Sequence, residues 1–162
     1  MSGPSHSKPD ECFDQALGLL RLLSGRRSSR FSGIGIVFYH DLATLPHMQL
    51  TNNVASPDLS RFAGTDLADG LISISSMDNP LHDGFHFIDA TSWRLTHLSQ
   101  FISPPIPQDA ERNFHGTGAR LIAAVLASLL PGIAYVGLVA QDGKIRLYCN
   151  GIDIIKDELT DG

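Results

Sequence analysis

The chain has little cysteine, little positive charge and no long apolar run. Its two cysteines, Cys12 and Cys149, have no partner spacing for zinc, and a reduced compartment with ordinary structural roles fits both. Lysine and arginine total 12 against 17 aspartates and glutamates, a formal net charge of −5. That balance argues against a general nucleic-acid binder, which carries a basic excess, but leaves room for a small anion in a local pocket. The longest apolar run, near Leu121–Leu130, falls far short of the roughly 20 residues of a membrane span. The opening MSGPSHSKPD lacks the apolar core of a secretory signal. The expectation is a cytoplasmic protein without a membrane partner. Internal repeats and low-complexity segments are also missing.

What is there is one domain's worth of chain, 162 residues with 43% hydrophobic side chains. Residues 11–24 place Phe13, Ala16, Leu17, Leu20 and Leu23 on one face at helical spacing, with Gly25 as the stop. GRRSSR (25–30) reads as a solvated basic turn, and IGIVFYH (34–40) as a buried strand bounded by glycine. From Asp41 to Gly64 the period is weak and Pro46 and Pro57 interrupt it, so the segment reads as a loop with a short strand around Met48–Leu50. DLADGLISISSM (66–77) fits a helix through Leu67, Leu71, Ile74 and Met77. Alternation of Ile72 and Ile74 leaves a strand open, but helical spacing covers more of the apolar residues.

Strands are expected at 84–90 and 93–99 around a turn at Thr91–Ser92. A proline-rich loop, an apolar helix over 118–130 and a hairpin at Asp142–Gly143 follow. The order implies an α/β fold: a single domain with a mixed central sheet flanked by helices. The domain is expected over 11–156, with a flexible N-terminus at 1–10 and a tail at 157–162.

Two turns have chemical potential. In NPLHDG (79–84), Pro80 stiffens a loop that ends in Asp83–Gly84. The glycine lets the backbone approach a ligand, and the carboxylate can hold a divalent cation, accept a proton, or simply cap the turn. His82 and His86 make a poor zinc pair because the turn intervenes. In HGTGARLIAAVLASLL (115–130), a glycine-rich turn opens a helix, where free amides and the helix dipole favour an anion and Thr117 and Arg120 add a hydroxyl and a cation. An N-cap by Thr117 accounts for the same residues. No Gly-Lys-Ser/Thr follows, and no strand precedes, so neither a Walker loop nor a dinucleotide fingerprint is present.

Together, NPLHDG entering a strand, a GT–R turn opening a helix, and two strands ending in Asn150–Gly151 resemble the diadenylate cyclase domain, the N-terminal domain of DisA-type DNA-integrity scanning proteins. The resemblance runs from about Leu67 to Gly151 and is faint before that. In that family two ATP-loaded domains meet face to face, and each 3′-hydroxyl attacks the partner's α-phosphate to give cyclic di-AMP and pyrophosphate. The resemblance assigns Asp83 to metal and hydroxyl activation, the catalytic role in an active enzyme. It assigns Gly84, Phe85, Gly116, Thr117, Gly118, Ala119 and Arg120 to nucleotide binding. Mg²⁺ or Mn²⁺ would accompany the bound nucleotide.

The motifs also depart from the family. Phe85 stands where Asp-Gly-Ala has alanine, and Gly118 and Ala119 stand where Gly-Thr-Arg-His-Arg has arginine and histidine. The family's Ser-Glu-Glu aligns with Ala140, Gln141 and Asp142. Phosphoryl transfer depends on positioned cations, so catalysis should suffer more than binding. The expected protein binds a nucleotide or cyclic dinucleotide as a sensor or regulatory domain without cyclase activity and signals to a separate effector protein. The alternative is an active diadenylate cyclase, which pairs as a homodimer.

Overall fold

The computed structural model describes residues 9–51, 57–108 and 118–155. They form an α/β domain around one seven-stranded mixed sheet in the order β2-β4-β3-β1-β5-β6-β7. Helix α1 (Pro9–Gly25) leads into β1 (Ile34–Tyr39), β2 (His47–Gln49) and α2 (Asp66–Ile74). Strands β3 (Phe85–Asp89) and β4 (Arg94–Ile102) follow, then α3 (Ala119–Ala127), β5 (Ile133–Val139), β6 (Ile145–Cys149) and β7 (Ile152–Asp153).

The central pair, β1 and β3, is parallel, and every other neighbouring pair is antiparallel. A parallel pair needs a crossover, which residues 40–84 supply through β2 and α2. Alternation along β1 sends Ile34, Ile36 and Phe38 into a core with α1 and α2, while Val37 enters a second core with α3. On β3, Phe85 and Phe87 face α3 and Ile88 faces α1 and α2. Helix α1 lies so close to β5 that a Cβ at Gly137 would stand 2.8 Å from Leu20 Cδ1.

Several boundaries differ from the sequence expectation. Helix α1 begins at Pro9, inside the stretch expected to be flexible, because proline is well suited to the first helical turn. The ambiguous 66–77 segment is helical only to Ile74. Ser75 then accepts no further turn, and its hydroxyl donates to the Ile72 carbonyl. Helix α3 stops at Ala127 rather than running to 130, and its N-cap is Gly118, not Thr117. Strand β4 extends to Ile102, since pairing with β2 on one side and β3 on the other holds its second half. Strand β7, a two-residue edge set by the Asn150–Gly151 turn, is too short to show a period.

A bulge in β4 shapes the site. Phe85 pairs with Gln100 and Phe87 with His97, so two residues, Leu98 and Ser99, stand opposite His86. Ser99 absorbs the extra residue at φ 52°, and its N–H donates to His86 Nδ1 at 3.1 Å.

Candidate functional site

The end of the first turn singled out in the sequence and the start of α3 meet at one end of the sheet, where β3 begins. A cleft of about 180 Å³ is lined by Gly84 and Phe85 from the first turn, Ala119, Arg120 and Ala123 from α3, and Leu50, Gln100, Phe101 and Ile102 from the β2–β4 edge. Gly118 caps α3 with its carbonyl accepting from Ile122 N–H. Gly116 and Thr117 lie outside the described residues.

Arg120 is the pivot of this arrangement. Its guanidinium reaches from the first turn of α3 to the loop before β1, where a Cβ on Gly33 would sit 3.1 Å from Nη1. Gly33 itself takes φ +89° and is hemmed in by the Val139 carbonyl and the Gln141 N–H, so the end of β5 closes the same space. Among the described residues, Arg120 has no hydrogen-bond or ion-pair partner within bonding distance. Burial pulls its pKa down, and the Asp83 carboxylate, near but not bonded, acts in the opposite direction. A partly desolvated guanidinium held without a direct counter-ion favours an incoming anion.

Asp83 does not cap its turn as one reading of the sequence had it. Its side chain is 69% exposed, and its nearest charged neighbour is His82, with Nδ1 at 3.6 Å from Oδ1. His82 Nδ1 also lies 3.1 Å from Ser32 Oγ. Gly84 has a structural reason for being glycine: at φ +82° a Cβ would stand 2.7 Å from the Gln100 carbonyl oxygen and 2.8 Å from Leu50 Cδ1. The close approach to strand β4 is by itself a reason for glycine at this position, which also lines the cleft.

His86 follows directly behind Gly84 and Phe85 and is fully buried. Because its Nδ1 accepts from Ser99 N–H, the proton sits on Nε2, which has no partner among the described residues. Burial first, then the positive charges of Arg120 and His82, push its pKa down to about 3. The imidazole is a neutral fixture under all physiological conditions and cannot serve as an acid–base catalyst near pH 7. His82 and His86 do not form a metal pair: one is tied to the half-buried Ser32 hydroxyl, the other to the bulge.

No protein-family model matches the chain, and none of the curated proteins matches it. The chemistry of the pocket then follows from its own side chains. Among the described residues no three His, Cys, Asp or Glu side chains gather. Asp142, which aligns with the family's acidic motif, uses Oδ1 to accept from Lys144 N–H in the hairpin turn. Asp83 could contribute one carboxylate to an ion that arrived with phosphates of its own.

Two larger clefts lie elsewhere. One, of about 340 Å³, runs between α1 and α2 beside Leu22, Arg26 and Trp93. The other, of about 360 Å³, is lined by Pro57, Asp58, Phe62, Asp66 and Gly70. The cation in the first is paired, with Arg26 Nη1 at 2.6 Å from Asp69, and the second is lined by two carboxylates. Among the described residues, neither offers an unpaired cation to an anion. The other arginines of the basic turn are likewise occupied: Arg30 pairs with Asp78 at 2.7 Å, and Arg27 donates to the Ser24 and Gln141 carbonyls.

Sequence reasoning missed Gly33, Ser32 and Gln100, which shape the site from the loop before β1 and from the bulged strand. The glycine before IGIVFY was visible as a strand boundary, but nothing local connects it to Arg120. Among the described residues, no helix is long and apolar enough to cross a membrane.

Proposed function

We propose that this chain is a diadenylate-cyclase-like domain that binds a nucleotide or cyclic dinucleotide as a sensor or regulatory module and does not carry out the cyclase reaction. The observation that supports binding is the Arg120 guanidinium, partly desolvated and without a bonded partner among the described residues, in a cleft shared with Gly84 and Phe85. A phosphoryl oxygen satisfies its donors, and the exposed amides at the start of α3 add partial positive charge. A volume of about 180 Å³ accepts a phosphoryl group and part of its sugar, with the base lying toward Leu50 and Phe101 at the rim.

Loss of catalysis is argued from what replaces the family's cations. Gly118 and Ala119 stand where an arginine and a histidine are expected, and a single positioned cation contributes on the order of 10³-fold to phosphoryl transfer. Asp83 remains as a carboxylate for Mg²⁺ or Mn²⁺ brought in by the nucleotide. A sensor has no need of the face-to-face pairing that the cyclase reaction requires, and its output passes to a separate protein.

Calorimetric titration with ATP and with cyclic di-AMP tests the reading. One of them should bind, and Arg120→Ala should weaken that binding by about 1–3 kcal/mol, the range for a charge-assisted hydrogen bond. Equal affinities in the two proteins, or no heat from either ligand, would refute it. Incubation with ATP and Mg²⁺, Mn²⁺ or Co²⁺ should yield no cyclic di-AMP above background. Product formation abolished by Asp83→Asn would establish the active enzyme instead.

A further inference from the structure

A second constellation, not used by the proposed nucleotide site, lies where β2 pairs with β4. His47 and His97 approach each other with ring centroids 5.2 Å apart and planes at 83°. Phe87 packs against both, at 5.0 Å from His47 and 5.1 Å from His97.

The hydrogen bonds around the pair determine which ring nitrogens carry protons. Gln100 Nε2 donates to the Leu98 carbonyl at 2.9 Å, so Gln100 Oε1 can only accept. It lies 2.9 Å from His47 Nδ1, which must therefore be the N–H donor. On the other ring, the Thr96 hydroxyl has one proton and three neighbours: the Phe87 carbonyl at 3.3 Å, His97 Nδ1 at 2.8 Å and Tyr39 Oη at 2.9 Å. With that proton on the Phe87 carbonyl, His97 Nδ1 is the N–H donor to Thr96 Oγ1. Tyr39 Oη, 2.9 Å from the same Thr96 hydroxyl, completes the support. In that tautomer both imidazoles present Nε2 as a free lone pair, and neither Nε2 is a sealed buried atom as His86 Nε2 is.

We propose that His47 and His97 are a two-imidazole seat for a borderline divalent transition-metal ion, Zn²⁺ or Cu²⁺. A metal-bound histidine characteristically donates its remote N–H to a fixed acceptor, and each ring here has one, itself held by a further hydrogen bond. The spacing suits chelation. A metal–nitrogen bond of about 2.0–2.1 Å places each ring centre about 3.2 Å from the ion, and a tetrahedral angle then separates the centres by about 5.2 Å. No third His, Cys, Asp or Glu joins the pair among the described residues, so water or a small exogenous ligand completes the coordination and the site is an open one. Imidazole donors select against Mg²⁺ and Ca²⁺.

Titration of the full chain with Cu²⁺, followed by electron paramagnetic resonance and calorimetry, should show one ion per chain coordinated by two nitrogens. Zn²⁺ should compete, and Mg²⁺ should not. His47→Ala and His97→Ala should each weaken binding at least tenfold, whereas His40→Ala, on an exposed ring elsewhere, should leave it unchanged. Nitrogen NMR of the wild-type protein gives the same answer without a variant, because Zn²⁺ should shift the Nε2 resonances of His47 and His97 together. Binding that survives both substitutions, Zn²⁺ that shifts neither resonance, or no binding at millimolar ion would overturn the proposal and leave the two rings as a packing contact.

Discussion

Replacing His86 with asparagine tests the reasoning about the core behind the candidate site, because two properties of that histidine separate cleanly. The ring is fully buried, accepts from the bulge residue Ser99 through Nδ1, and has a pKa lowered to about 3 by burial and by Arg120 and His82. In the unfolded chain it titrates near about 6.5. Below that value the unfolded state takes up a proton that the folded state refuses. The stability contributed by the neutral ring is therefore present above about pH 6.5 and is lost as pH falls toward 3.

Between pH 7 and pH 5 this one group should remove about 2 kcal/mol, and that figure depends on the unfolded value and hardly on how far below 5 the folded value lies. Asparagine can still accept from Ser99 N–H but does not titrate. It also leaves a small void, which should cost about 1–3 kcal/mol at every pH. Urea melts followed by circular dichroism at both pH values give the comparison. The variant should be less stable at pH 7 yet lose about 2 kcal/mol less than wild type on going to pH 5. Parallel losses in the two proteins would refute the assignment of a buried neutral imidazole, whatever the absolute stabilities.

Gly84→Ala should destabilise the fold by at least about 2 kcal/mol, since φ +82° is strained for an L-residue and the Cβ would lie 2.7 Å from a backbone oxygen that cannot move alone; a thermal melt within a degree of wild type would contradict it. Gly33→Ala combines a smaller strain, about 1–2 kcal/mol, with displacement of the Arg120 guanidinium, so it should weaken nucleotide binding in the same titration that reads Arg120→Ala. Unchanged affinity in Gly33→Ala, alongside a loss in Arg120→Ala, would mean that the guanidinium finds its ligand without that cradle.

Periodicity and turn chemistry alone were enough for most element types, though not for β7 or for the choice between helix and strand at 66–77. The stripe Ala16, Leu17, Leu20, Leu23 can bury one face only as a helix, the IGIVFY run can be covered on both faces only inside a sheet, and Asp142–Gly143 turns one strand back on the next. The resemblance assigned Asp83, Gly84, Phe85 and residues 116–120 to one site; the fold brings Gly84, Phe85, Ala119 and Arg120 to one cleft, Asp83 is not among its lining residues, and Gly116 and Thr117 lie outside the described residues. Local sequence could not supply the rest, because each remaining feature is a contact between segments distant along the chain. The bulge that captures His86 exists only when β4 pairs with β3, and the cradle under Arg120 exists only when β1 and β5 run side by side. Likewise, the hydrogen-bond partners of His47 and His97 are a glutamine and a threonine that strand pairing sets beside them. Secondary structure answers to spacing within a few residues, whereas burial, tautomer and unpaired charge depend on which distant groups the folded sheet brings within hydrogen-bonding distance.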